Sequence, residues 1–330
     1  MQFGPDLDTR TVRFYNGIAA FFCAAILNTM HLYIVITKSP KWLHPYKKIF
    51  FFEIFNNMAH VTFVMLPNVM YFSKVVDGHF YFFHVLSGII FQPPQPWTTI
   101  FVIPYVFFLN WNVTIVPVHF IYRYLVVCQN YEMGLWVFFG AVLISAIAPA
   151  IYVVLIACGE LQDNHMTESM SYLFKNSDWV DSNGNTPNFA IMQSDGITLH
   201  TVIVPVSILL SYIIVFVCTI QIHTRVQHLN HIQKDRQKAK NVQLNVVLIC
   251  NAVVPFVVSA IPSGSVQVAK LFGFSLPATI SHIMLLTPWS AVTNPIMAMT
   301  IVTPYRRFWM PWKKRIIPTM TGGRTTLTTY

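Results

Sequence analysis

Apolar residues along this chain gather in long runs instead of recurring at the spacing of a half-buried strand or a surface helix. Seven runs reach the length of about 18 to 20 residues that a helix needs to cross a bilayer: 14–37, 49–72, 98–127, 135–158, 199–222, 244–264 and 276–302. An eighth apolar piece, 80–91, is too short to cross and runs into Gln92-Pro93-Pro94-Gln95-Pro96, so it is expected to lie at the interface or in a loop. Leaving it out keeps the number of spans odd. The pattern therefore predicts an all-α membrane protein, a seven-transmembrane helix bundle over 14–302. An N-terminal stretch, 1–13, precedes it and a basic tail, 303–330, follows. Pro67, Pro104, Pro117, Pro149, Pro205, Pro255, Pro288 and Pro295 fall inside the runs. Each would cost a soluble helix about 3 kcal/mol, but transmembrane helices tolerate proline because neighbouring groups re-satisfy the freed carbonyls. Kinked spans are expected.

Composition removes the soluble alternatives. The 330 residues are 55% hydrophobic and 10% charged, whereas a soluble domain carries about 25% charge. The net charge of +9 could suggest nucleic acid until the cations are placed. Sixteen of the 21 fall on one side of the spans, among them Lys47, Lys48, Arg123, Arg225, Lys240 and Arg306, and five on the other. The positive-inside rule then puts the N-terminus outside and the C-terminus in the cytoplasm. Basicity becomes a property of the cytoplasmic face, and no nucleic-acid partner is implied. The first run starts without a small-residue cleavage site, so it is expected to stay as a signal-anchor helix. All five cysteines lie in or beside apolar runs, which argues against a disulfide framework. Without CxxC, HExxH, GxGxxG or GxxxxGK[ST] motifs, neither a metal nor a cofactor is implied.

Two charges inside or at the edge of the spans need an explanation. Arg123 ends span three within His119-Phe120-Ile121-Tyr122-Arg123-Tyr124-Leu125, and Glu53 is the one carboxylate within a span, about one turn above the cytoplasmic end of span two. A carboxylate in hydrocarbon costs about 2.5 to 3.5 kcal/mol on insertion scales, so Glu53 should face the bundle interior, pair or be protonated, unless it lies shallow enough to reach water. An approach of Glu53 to Arg123 is expected. Arg123 read by itself fits a snorkelling topology anchor equally well. Asn56, Asn57, His60, Asn110, Asn112, Asn251 and Asn294 mark the interior as interhelical hydrogen-bonding residues. Asn112-Val113-Thr114 matches the glycosylation pattern but lies at span depth, beyond reach of the lumenal enzyme.

A ligand from outside would meet the outer halves of the spans. Those halves supply Asn68 and Tyr71, Tyr105 and Phe108, His200, Phe256 and Ser259, and His282. This aromatic, mostly uncharged set suits a small volatile or amphipathic molecule. Lysine is absent from 276–302, which excludes a retinal Schiff base there. The stretch from Arg225 to Lys240 satisfies the positive-inside rule and anionic-lipid attraction, and could also frame a cytoplasmic crevice.

Seven spans, an external N-terminus, Tyr122-Arg123-Tyr124 closing span three, Gln243 before span six, the Pro255-to-Pro262 stretch within it, and Asn294-Pro295 followed by Tyr305-Arg306 together resemble the nematode serpentine chemoreceptors of the Str superfamily, with Str, Srd and Srj types closest. The resemblance covers nearly the whole chain. It implies a G-protein-coupled chemosensory receptor in the plasma membrane, with the cilium of a sensory neuron as a candidate location, whose partners are a small-molecule ligand, a heterotrimeric G protein and the lipid bilayer. On a receptor reading, coupling and activation are expected at Tyr122, Arg123, Tyr124, Asn294, Pro295 and Tyr305 of the matching motifs, together with Glu53 and the basic Arg225 and Lys240. The family's Asp-Pro in span seven is Asn294-Pro295 here, and Asn251 stands where a glutamine is common. The loop-to-span-three cysteine pair usual in rhodopsin-like receptors is missing. A seven-span channel or transporter is the rival class, disfavoured by the lack of an internal repeat and of midplane ion pairs. An enzyme would need paired aspartates or a Ser-His arrangement that the spans do not offer.

Overall fold

The computed structural model describes residues 7–175, 177–180, 184–196, 198–230, 235–272 and 284–309, without the side chains of residues 71, 228–230, 235–242, 244, 269–271 and 309. Its helices are α1 (Leu7–Thr37), α2 (Lys47–Met65), α3 (Trp97–Thr114), α4 (Val116–Cys128), α5 (Leu135–Gln162), the short α6 (Met166–Met170), α7 (Leu199–Asn230), α8 (Asp235–Pro255), α9 (Ile261–Leu271), α10 (Ser290–Ile301) and α11 (Thr303–Trp309). Among the described residues, five continuous stretches are long and apolar enough to cross a membrane: Leu7–Thr37, Trp97–Cys128, Leu135–Phe174, Leu199–Gln227 and Asn245–Val268. The second and seventh spans are α2 and the segment from Met284 through α10. Span two is less apolar because Glu53, Asn56, Asn57 and His60 all lie on it, and all four are buried.

The spans leave large apolar side chains exposed that a soluble protein would bury. Trp136, Leu143, Ile144 and Phe216 are exposed, while the asparagines of the spans are inside. Such a surface is stable only against lipid, where burying apolar groups gains nothing and unpaired polar groups are costly. The interior asparagines pair across helices accordingly. Asn57 donates to Asn28 at 3.3 Å and accepts from Asn294 at 3.0 Å, while Asn28 donates to the Ala291 carbonyl at 3.0 Å. Spans one, two and seven are thereby joined. Asn56 donates to Asn112 at 3.3 Å, and Asn112 donates to Ser290 at 3.3 Å, which brings in span three. Each such bond contributes about 0.6 to 2 kcal/mol.

Two of the prolines accompany breaks in helical regularity. Pro117 follows the short break between α3 and α4 at Ile115. Past Pro255 the helix widens into a π turn over Phe256–Ala260, as happens where the hydrogen-bond ladder loses a donor. The Val258 carbonyl in that turn accepts from the Thr287 hydroxyl of span seven at 3.0 Å.

The outer end departs from the expected organisation. Span two stops at Met65, not near residue 72, because Pro67 follows and Asn68 takes a left-handed conformation, φ 39°. The chain then folds into a three-stranded antiparallel sheet, β1 (Val69–Val76), β2 (His79–Leu86) and β3 (Ala190–Gln193), in the order β1-β2-β3. The piece 80–91, expected as interface or loop, is therefore largely the central strand. Asp77 and Gly78, φ 51° and 84°, make the tight turn of the hairpin. Both faces of β2 are covered. Phe80, Phe82 and Leu86 face the bundle beside Val102 and Tyr105, while Tyr81, Phe83 and Val85 pack outward on Phe174, Trp179 and Phe189 of the second external loop. Phe72 opposes Phe83 across the ladder, rings stacked at 5.6 Å. Gly88 closes the hairpin against span two, where a Cβ would stand 2.4 Å from the Leu66 carbonyl oxygen.

All five cysteines are free, so the second external loop is tied to the bundle by other means. Besides the β2–β3 ladder, Asp163 accepts from the Gln193 amide at 2.6 Å, and Arg10 at the start of α1 lies over the Trp179 ring at 4.2 Å.

Candidate functional site

Beneath the sheet, the outer half of the bundle holds a cavity of about 40 Å³. Its roof is the inward face of the sheet, Phe82, His84 and Met192; its walls are span three at Asn110, span four at Tyr152 and span six at Gln267. Phe82 and His84 are two residues apart, so the pleat turns both to one side. Tyr152, Ile156 and Glu160 recur every four residues on one face of α5. His84 Nδ1 and Glu160 Oε1 meet at 2.5 Å, with the side chains 8% and 0% exposed, which bonds the hairpin to the top of span four. Gln267 donates to the Tyr152 hydroxyl at 3.3 Å.

The cytoplasmic end is organised around Arg123, which is fully buried. Its Nε donates to Asn245 Oδ1 on α8 at 2.8 Å, and its guanidinium lies 5.6 Å from the centre of the Tyr46 ring. Beside this bond, between α4, α7 and α8, opens an apolar crevice of about 260 Å³, bounded by Phe120, Ile222, Val226, Asn245 and Leu248. Neighbouring residues lock the other helices. Tyr122 donates to the Pro45 carbonyl at 2.8 Å, and Lys48 sits 4.7 Å from the Tyr122 ring centre. Tyr305, also fully buried, shares a 2.7 Å bond with Ser39 at the end of span one. Gln243 brackets Thr303, donating to its hydroxyl at 2.7 Å and accepting from its amide at 3.1 Å.

The expected Glu53–Arg123 approach does not form. Glu53 is buried and accepts from Asn251, while Arg123 turns to Asn245, so each charge finds a separate amide on span six. Among the other coupling residues, Tyr124 is half-buried and accepts from Gln129 at 2.9 Å, Arg225 is exposed, and Asn294 with Pro295 is buried in α10. The Lys240 side chain lies outside the described residues, as do the Tyr71 side chain and all of His282.

Among the described residues, none of those expected to hold a ligand lines the outer cavity. Asn68 ties the end of span two to Ser87 Oγ at 3.2 Å. Tyr71 belongs to β1, not to span two. Tyr105 is buried and accepts from Arg13 at 3.3 Å; Phe108 stacks on Phe63 at 5.1 Å. His200 meets Ser194 at 2.5 Å at the head of α7, and the half-exposed Phe256 packs on Tyr212 at 4.7 Å. Ser259 is fully buried one turn inward of Ser263, which lines the cavity. The lining of this cavity is a different set, because it depends on the sheet. Asp77-Gly78 between apolar runs was the signal that could have found it, since Asp-Gly so flanked favours a hairpin.

Comparison with known proteins agrees with this architecture. No curated protein sequence matches the chain. A crystal structure of squid rhodopsin superposes with a TM-score of 0.56 at 13% identity, covering 94% of this chain and 88% of rhodopsin, which establishes the seven-transmembrane receptor fold. The sequence profile of the serpentine chemoreceptors described as "Serpentine type 7TM GPCR chemoreceptor Str" matches residues 15–310, and the chain, a multi-pass membrane protein, belongs to that family.

Proposed function

We propose that the protein is a plasma-membrane receptor, sited in the sensory cilium, that binds a small environmental molecule in the outer half of its bundle and activates a heterotrimeric G protein at its cytoplasmic end. The observation that carries this reading is the Arg123–Asn245 bond beside the crevice between α4, α7 and α8. It joins span three to span six across the mouth that a G-protein α-subunit would need. Breaking it and moving α8 outward would open that mouth. A ligand need only bind the open bundle more tightly than the closed one to shift the population. Span six spans both ends, with Gln267 on the cavity and Asn245 on Arg123, and its π turn at Phe256–Ala260 supplies a point at which it can bend.

The test is nucleotide exchange on a G protein reconstituted with the receptor in nanodiscs, with and without candidate odorants. Ligand-dependent exchange supports the reading. A ligand-evoked current in cells lacking G-protein signalling would instead favour a channel.

A further inference from the structure

Two buried side-chain oxygens, one on the wall of the outer cavity and one behind His84 of its roof, have nothing to accept. Gln267 lines the cavity and is 3% exposed; its amide nitrogen is committed to Tyr152, and Oε1 has no partner. Glu160 is fully buried one turn outward of Ile156; Oε1 meets His84, and Oε2 has no partner. Buried acceptors are nearly always paired in folded proteins, and an unpaired carboxylate oxygen away from water is among the costliest exceptions. Such a pair of groups is complementary to a molecule that donates hydrogen bonds and carries positive charge.

We infer that the cavity is the receptor's ligand pocket and that it takes a short-chain organic amine, bound as the ammonium, with Glu160 and Gln267 as its polar anchors. The inference rests on the receptor reading above and narrows its ligand class. An ammonium group has three N–H donors and no acceptor, which matches Glu160 Oε2, Gln267 Oε1 and the oxygen of Tyr152. The remaining walls, Phe82, Val106, Leu109, Ile156 and Met192, are apolar and suit an alkyl group. At about 40 Å³ the space holds roughly three waters, so the ligand has few heavy atoms. Ligands that small are limited to low-micromolar affinity at best. His84 makes the sheet a party to binding: a cation drawn to Glu160 competes with the bond that holds β2 to span four.

The test uses the full-length receptor in nanodiscs and reads binding by thermal shift, independently of any G protein. The probes are propylamine and isobutylamine, with butanone, an acceptor of similar size, as the control. The expected result is a dose-dependent rise in melting temperature with the amines at millimolar concentration and none with butanone. Glu160→Gln, which keeps an acceptor toward His84 but removes the charge, should weaken amine binding at least tenfold. Ile156→Phe, which fills the cavity with an apolar ring, should abolish it and keeps the inference testable if Glu160→Gln folds poorly. No shift with any amine overturns the inference, as does a shift that survives Ile156→Phe or one produced equally by butanone. Amine binding that fails to drive nucleotide exchange would leave the pocket standing and overturn the G-protein reading instead.

Discussion

At the outer end of this receptor, backbone ladders and stacked rings hold the chain; at the cytoplasmic end, single side-chain bonds do. The hairpin β1–β2 and strand β3 share a continuous register from Val69↔Leu86 to His84↔Ala190, with Phe72, Phe83, Phe174 and Phe189 in contact beyond it. Arg123–Asn245, Tyr122–Pro45, Ser39–Tyr305 and Gln243–Thr303 each join a different pair of segments at the other end. Removing one ladder bond leaves its neighbours in register, whereas these side-chain bonds belong to no common ladder and can be broken one at a time. A rigid mouth preserves the shape of a binding site, and an inner end held by bonds of about 1 kcal/mol can switch between arrangements.

Loss of the aromatic layer should cost the most. Phe83→Ala should destabilise the receptor by about 3 to 5 kcal/mol, seen as a large fall in melting temperature in nanodiscs. The same truncation at lipid-facing Phe216 should leave it nearly unchanged, and equal losses would show that the sheet has no special share in stability. Next comes the interior amide chain. Asn57→Ala leaves Asn28 and Asn294 short of a partner and should cost about 1 to 3 kcal/mol. A similar cost is expected at the hairpin turn, where Gly78→Ala places a Cβ at φ 84° and should lose about 1 to 2 kcal/mol. Faster amide exchange along Phe80 to Phe83 is the readout, with the helices unchanged.

Asn245→Ala sharpens the contrast at the other end. It should shift stability little but raise ligand-independent nucleotide exchange by about 3- to 20-fold, the equivalent of one interhelical bond. Basal exchange at the wild-type level would mean that this bond does not bias the closed state. The smallest effect concerns Asp195, an exposed carboxylate at the rim of the sheet. Its slight burial alone would raise the carboxyl, but bonds from the Gln193 side chain, the Phe80 amide and His79 outweigh it and hold it below the usual carboxylate range. The stabilisation it adds is complete above the unfolded value of about 3.9 and disappears as pH falls through the lower folded value. Amide exchange at Phe80 should therefore quicken only in strong acid, and Asp195→Asn should remove that dependence.

Much of the bundle was legible from the chain because its signals are local. A run of about 20 apolar residues means a span wherever it lands, and lysines and arginines report the side on which their own loop sits. Arg123 and Asn294 stood out for the same reason, since polar groups at span depth are few, whereas Tyr305 entered only through the resemblance to the serpentine chemoreceptors. The sheet was hidden by its own burial. With both faces covered, β2 shows no alternation, and His79–Leu86 looks like any short apolar run. Glu53 was recognised as interior, but its partner was not, since several amides and one guanidinium were available at similar depth.

By itself, then, the sequence determined a seven-span bundle, its orientation and the rank of residues that must face inward, because each follows from the cost of placing a group in hydrocarbon. Only the tertiary structure decided which inward groups meet. It sent Glu53 to Asn251 and Arg123 to Asn245, and it laid a strand from before span three and another from before span five over spans three, four and six to make the cavity. Those pairings depend on helix rotation and on contacts between residues more than a hundred positions apart, such as Phe82 and Met192, and no local pattern records them.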